Sequence, residues 1–154
     1  MPELPEVEAT RRHLAPQLVG ATVTRVEVRR DRMVRRQARP TDFVDRMLGR
    51  RVTAIDRHGK FLLTRLEGEV TWVTHLGMSG RIQLADPGDD EADHTNVVVA
   101  TDRGAEVRLV DPRTFGFVAA YLPDELASGP LGLLGPDAWD DLPDVPGLVA
   151  RMTG

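Results

Sequence analysis

Three runs follow one another in the middle of the chain: Val52-Thr53-Ala54-Ile55-Asp56-Arg57-His58, Phe61-Leu62-Leu63-Thr64-Arg65-Leu66 and Val70-Thr71-Trp72-Val73-Thr74-His75-Leu76. Only Gly59-Lys60 and Glu67-Gly68-Glu69 separate them. Each run is short and rich in β-branched or aliphatic residues, and each gap holds a glycine, which is the chemistry of strands and tight turns. Glu67-Gly68 in particular suits a hairpin. The same texture extends outward through Gly80–Ala85, Asn96–Thr101, Ala105–Val110 and Phe115–Tyr121, with Asp102-Arg103-Gly104 as a second hairpin turn. Upstream, Ala21–Arg30 carries Thr22, Val23, Thr24, Val26 and Val28 and reads as one more strand. Eight short strands at this spacing predict a mainly β fold, a sandwich or a barrel.

Helices flank the strands. Leu4, Val7, Leu14 and Leu18 share one face of a helix over residues 4–18 that Gly20 ends. Pro40-Thr41-Asp42 opens a second, short helix through Phe43, Val44, Met47 and Leu48, with Gly49 at its end. The run Arg29-Arg30-Asp31-Arg32-Met33-Val34-Arg35-Arg36 is a basic, irregular connection, and Asp86-Pro87-Gly88-Asp89-Asp90-Glu91-Ala92-Asp93 is an acidic loop expected to be mobile. After Tyr121 five prolines and four glycines, from Pro123 to Gly147, break any long element. The chain is therefore read as a domain over residues 1–122 followed by a linker over 123–154 with at most a turn or two of helix.

A chain of 154 residues, 41% hydrophobic and 29% charged, has the composition of one soluble domain. It carries no apolar run long enough to span a membrane and no secretory signal. Cysteine is absent, which removes disulfides and cysteine-bound zinc and suits the cytoplasm. The net charge of −4 divides unevenly. Residues 1–84 hold 16 basic against 10 acidic residues, and residues 85–154 hold 4 against 14. A basic first half can face a phosphate backbone while the acidic second half faces away, although a solvated arginine surface gives the same count.

The first eight residues, Met1-Pro2-Glu3-Leu4-Pro5-Glu6-Val7-Glu8, are chemically suggestive. Removal of Met1 would expose Pro2 as a secondary amine, and an α-amino group titrates near 8, roughly two units below a lysine. Such an amine can condense with an aldehyde-level carbon to give an iminium that acts as an electron sink, with the Glu3 carboxyl beside it to move a proton. The same residues also suit the opening of a helix, where proline fits the first turn and acidic side chains complement the dipole. Lys60 is the sole lysine of the chain, and an ammonium can trade protons where guanidinium cannot.

Pro2-Glu3-Leu4-Pro5-Glu6-Val7-Glu8 closely resembles the N-terminus of the bacterial formamidopyrimidine-DNA glycosylase family. Three further stretches resemble that family in the same order: Arg57-His58-Gly59-Lys60-Phe61-Leu62-Leu63, His75-Leu76-Gly77-Met78-Ser79-Gly80-Arg81 and Asp111-Pro112-Arg113-Thr114-Phe115-Gly116-Phe117. The resemblance implies two four-stranded antiparallel sheets with flanking helices, including an N-terminal one. It also implies base-excision repair of oxidised purines, 8-oxoguanine and formamidopyrimidines, by a glycosylase with abasic-site lyase activity. On that reading Pro2 attacks the anomeric carbon of a flipped-out nucleotide, and Glu3 and Lys60 assist proton transfer. Glu6 supports the active-site geometry. Met78, Arg113 and Phe115 fill the space that the base vacates, and His94, within Asp93-His94-Thr95-Asn96, contacts a DNA phosphate. Arg113 and Phe115, placed on a strand two residues apart, would point the same way. Thr114 stands where the commoner family form has a second arginine.

The resemblance covers residues 2 to about 141, through Leu134-Gly135-Pro136-Asp137. The family continues into a helix-two-turn-helix module and a four-cysteine zinc finger, and neither is in this chain. The expectation is therefore a cofactor-free, metal-free, monomeric catalytic half, inefficient on its own. It would act on double-stranded DNA containing oxidised purines or abasic sites, away from membranes, in the nucleoid-bearing cytoplasm of a bacterium. A retained Met1 would acylate Pro2 and favour a non-catalytic DNA-damage-binding or partner-binding module instead. A tautomerase using an N-terminal proline as base is the third class, in a fold where a Gly-Met-Ser-Gly wedge has no purpose.

Overall fold

A computed structural model describes residues 4–77 and 80–128, with side chains from 6 to 77 and from 80 to 125. Its elements are α1 (Leu4–Leu18), β1 (Val23–Val28), a 3₁₀ turn (Asp31–Val34), α2 (Pro40–Met47), β2 (Val52–His58), β3 (Phe61–Leu66), β4 (Val70–His75), β5 (Arg81–Ala85), β6 (Thr95–Thr101), β7 (Glu106–Val110), β8 (Phe117–Tyr121) and α3 (Pro123–Ser128). The strands form two antiparallel four-stranded sheets, ordered β1-β6-β7-β5 and β2-β3-β4-β8. The two-sheet sandwich with an N-terminal helix expected above is the fold observed.

Alternation decides which side chains enter the core. Val97 and Val99 of β6, Val107 and Leu109 of β7, Leu62 and Leu66 of β3 and Trp72 of β4 belong to one buried apolar cluster. Phe43 of α2 meets Trp72 edge-on, with ring centroids 6.5 Å apart. Val7, Leu14 and Leu18 seat α1 on the same cluster, as their helical spacing requires. Proline at the first position and an Asp42 carboxylate that accepts the Arg39 N–H at 3.1 Å start α2.

Two expectations are corrected by long-range contacts. The final strand starts at Phe117 rather than Phe115, so Arg113 and Phe115 lie in the β7–β8 loop and strand alternation does not orient them. The acidic loop after β5 is fastened rather than loose. Arg108, only 2% exposed, donates to the carbonyls of Asp90 (3.2 Å) and Asp86 (3.3 Å), and Arg29 pairs with Glu91. The basic connection 29–36 contains the 3₁₀ turn and docks on β8. Gln37 accepts the Ala120 N–H at 2.6 Å, which closes part of that strand's outer edge. Of the 123–154 segment only α3 is described, and no helix among the described residues is long and apolar enough to cross a membrane.

Candidate nucleic-acid interface

One end of the sandwich gathers the β2–β3 turn, the end of β4, the β7–β8 loop and the basic connection before α2. Lys60 stands in the β2–β3 turn after Gly59, whose φ of +57° suits glycine. That turn is tied to α1. Glu8 accepts from Arg57 Nε at 3.1 Å and from Arg12 Nε at 2.9 Å, while Arg57 also donates to the Gly59 carbonyl at 3.1 Å. Arg11, its first cause, and these two arginines hold the Glu8 carboxyl down at about 2. The first turns of α1 and the lysine turn are thus fixed to each other through one carboxylate.

Phe61, His75 and Phe117 are register partners on neighbouring strands and form a row of rings across β3, β4 and β8. His75 is stacked on Phe117 at 5.7 Å and 17°, and Phe61 tilts against His75 at 4.8 Å. The Gly77 N–H donates to His75 Nδ1 at 3.2 Å, which leaves Nε2 as the protonated nitrogen of the neutral ring. Burial first, and then Lys60, Arg35 and Arg36, push the His75 pKa below its usual 6.5. Arg36 and Arg35 lie over the Phe117 ring at 5.3 and 5.8 Å.

The β7–β8 loop is built around Asp111, which is 1% exposed. Its carboxylate accepts the N–H of Thr114 at 3.1 Å and of Gly116 at 3.0 Å. Its own N–H donates to the His94 carbonyl at 3.1 Å, and Asn96 donates to its carbonyl at 2.7 Å. Arg113 and Phe115 are exposed on either side of Thr114, which has φ of +53°. The loop touches the β4–β5 loop closely: a Cβ on Gly77 would stand 2.5 Å from the Gly116 nitrogen. Among the described residues no ion pair with a carboxylate is seen for Arg32 or Arg36, and the buried Asp111 carboxylate acts on Arg35; the arginines of this end outnumber it, so the end is positively charged.

The structure therefore brings Lys60, His94, Arg113 and Phe115 onto connections that meet at or adjoin this end. Glu6 is exposed on the first turn of α1, where its carbonyl accepts the Thr10 hydroxyl at 2.9 Å. Pro2, Glu3 and Met78 lie outside the described residues. Sequence reasoning gave Glu8 no more than a helix-dipole role and gave none to Arg57, Asp111, Arg32 or Arg35. Glu8 and Arg57 stood inside quoted motifs, and an acidic residue opening a glycine-containing loop was a usable signal for Asp111; no local pattern marks the arginines. Among the described residues no group of three histidine or acidic side chains could hold a metal, and the sequence offers no cysteine to a zinc finger.

Comparison with known proteins places the chain. Residues 1–118 match the family model described as the formamidopyrimidine-DNA glycosylase N-terminal domain. The chain belongs to that family. The formamidopyrimidine-DNA glycosylase of Stutzerimonas stutzeri (strain A1501) is 43% identical over 137 residues, which are 89% of this chain and 49% of the relative. The Lactococcus lactis formamidopyrimidine-DNA glycosylase bound non-covalently to DNA with an abasic site superposes with a TM-score of 0.75 at 26% identity, covering 82% of this chain and 48% of that one. The same enzyme in complex with FAPY-dG-containing DNA gives 0.76 at 26% identity, over 86% and 48%. The chain spans about half the length of these proteins.

Proposed function

We propose that this chain is the lesion-probing and nucleophile-bearing half of a base-excision-repair DNA glycosylase with abasic-site lyase activity on oxidised purines. Residues 1–122 form the catalytic domain, and 123–154 lead toward a second half. The observation that carries this reading is the convergence of the lysine turn, the ring row and the Arg113–Phe115 loop on one positively charged end of the sandwich. The Glu8–Arg57 bridge ties the start of α1 to the same end. The solved relatives were crystallised with DNA containing an abasic site or FAPY-dG, which agrees with that assignment.

In the proposed reaction the damaged nucleotide leaves the stack, because its sugar is out of reach inside the duplex. The Pro2 nitrogen attacks C1′ and the damaged base departs with the bonding pair of the C–N bond, taking a proton. Ring opening of the sugar leaves an iminium between Pro2 and C1′. Loss of a C2′ proton, assisted by Glu3 and Lys60, then expels the 3′ phosphate by β-elimination. Met78, Arg113 and Phe115 occupy the vacated stack, Arg113 facing the orphaned base, while His94 meets a phosphate. Glu6 steadies the nucleophile's surroundings.

Borohydride reduction of a mixture with an abasic-site duplex tests this reading. Protein with Met1 removed, confirmed by mass spectrometry, should yield a covalent adduct, and protein retaining Met1 should yield none. Absence of an adduct from protein with a free Pro2 amine would refute the catalytic assignment and leave DNA binding alone to be measured.

A further inference from the structure

The β7–β8 loop is gripped through its backbone by two opposite charges. Asp111 takes the N–H groups of Thr114 and Gly116 from within the loop. From outside, Arg35 Nη1 donates to the carbonyls of Thr114 (3.2 Å) and Gly116 (2.8 Å), and Arg35 Nη2 donates to that of Phe115 (2.9 Å). A third bond runs from Arg35 Nη1 to the Arg32 carbonyl at 2.9 Å, and Arg32 Nε in turn donates to the Thr114 hydroxyl at 3.0 Å. Successive carbonyls of an extended chain point to opposite sides, so three in a row reach one guanidinium only where the chain curls. Thr114 at φ +53° supplies that curl, in a conformation a β-branched residue rarely adopts unless its surroundings impose it.

We infer that Arg35 is a positioning residue for lesion recognition, the part that fixes the Arg113–Phe115 loop in its probing shape before DNA arrives. This rests on the DNA-repair reading proposed above. Both of its terminal nitrogens donate to carbonyls of the loop, so its contribution to recognition passes through Arg113 and Phe115. A planar fork with several donors can serve three carbonyls at once, and a lysine ammonium at the same place keeps the charge without that geometry. Arg25 is the natural control, since it carries the same charge on the other sheet and pairs there with Glu27 and Glu106.

The test uses the full chain and three proteins: wild type, Arg35→Lys and Arg25→Lys. Amide hydrogen exchange of the segment 111–117 is measured without DNA, and affinity is measured for an abasic-site duplex and for the same duplex undamaged. In Arg35→Lys the segment should exchange about tenfold faster, and the preference for abasic over undamaged duplex should fall about tenfold, the scale of a lost charge-assisted hydrogen bond. Affinity for undamaged duplex should hold, since net charge is unchanged, and Arg25→Lys should match wild type in both readouts. Should Arg35→Lys fail to fold, Arg35→Gln replaces it, and wild-type exchange with wild-type preference in that variant would overturn the inference. Unchanged exchange and unchanged preference in Arg35→Lys would also overturn it. Faster exchange with unchanged preference would show a structural clamp with no part in recognition. A wild-type protein with no abasic preference would instead bring down the repair reading itself, while the exchange result still reports on the clamp.

Discussion

The two sheets use arginine in opposite ways. On the outer face of β1-β6-β7-β5, Arg25 pairs with Glu27 and Glu106, Arg29 with Glu27 and Glu91, and Arg108 with Glu106, so the cations there are neutralised by carboxylates. At the end of β2-β3-β4-β8, Arg32 and Arg35 bond to carbonyl oxygens and Arg36 covers a ring. Those contacts fix the guanidinium groups without neutralising them one for one, since Asp111 is the carboxylate that acts on Arg35. Counting basic residues along the sequence assigns Arg25 and Arg29 to the same positive half as Arg32, Arg35 and Arg36. Pairing in the fold decides which of them can act on a polyanion.

Replacing Arg108 is the hardest blow to the first region. Arg108→Met leaves the Glu106 carboxylate, 4% exposed, with Arg25 as its remaining partner and removes two bonds that hold the 86–91 loop, so stability should fall by about 3 kcal/mol in urea denaturation, as for other broken buried pairs. DNA affinity of the folded fraction should stay as it was. A loss of affinity comparable to that of a variant at the other end would erase the distinction between the regions.

Gly77→Ala attacks the second region. Its φ of +65° and a Cβ 2.5 Å from the Gly116 nitrogen leave no room for a methyl group. Stability should drop by about 2 kcal/mol from left-handed strain and crowding together, and abasic-duplex affinity should drop with it as the two loops separate. Thermal melting and fluorescence-anisotropy titration read the two effects.

The subtlest comparison is Arg36→Ala against Arg25→Ala. If the second region meets phosphates, Arg36→Ala lowers the slope of log affinity against log salt by about one unit, and Arg25→Ala leaves it unchanged. Equal slopes would mean that pairing with carboxylates does not determine which arginines face DNA.

Much of the fold could be read from local pattern. Glycines at turns and runs of β-branched residues located all eight strands, with ends shifted by a few residues, and the Leu14/Leu18 spacing located α1. Phe115 was drawn into the last strand because Phe115-Gly116-Phe117 looks like a strand start. What excludes it is the Asp111 carboxylate and the left-handed Thr114, neither of which shows in hydrophobic alternation. The fastened acidic loop depends on Arg29 and Arg108, distant in sequence, and the Arg35 clamp links residue 35 to residues 114–116. Contacts of that range leave no period in a sequence. For the same reason the motif residues could be named one by one, while the parts that bind them together could not.

The central claim is that the uncancelled end of the second sheet is the face that meets damaged DNA. Hydrogen exchange of the full chain with and without an abasic-site duplex tests it most directly. The account predicts new protection confined to segments 3–8, 29–36, 59–62, 75–80, 93–96 and 111–117, with none over 23–28, 86–91 and 106–110 beyond that of the free protein. Protection centred on the paired arginines of β1 and β7, or spread evenly over both sheets, would contradict it.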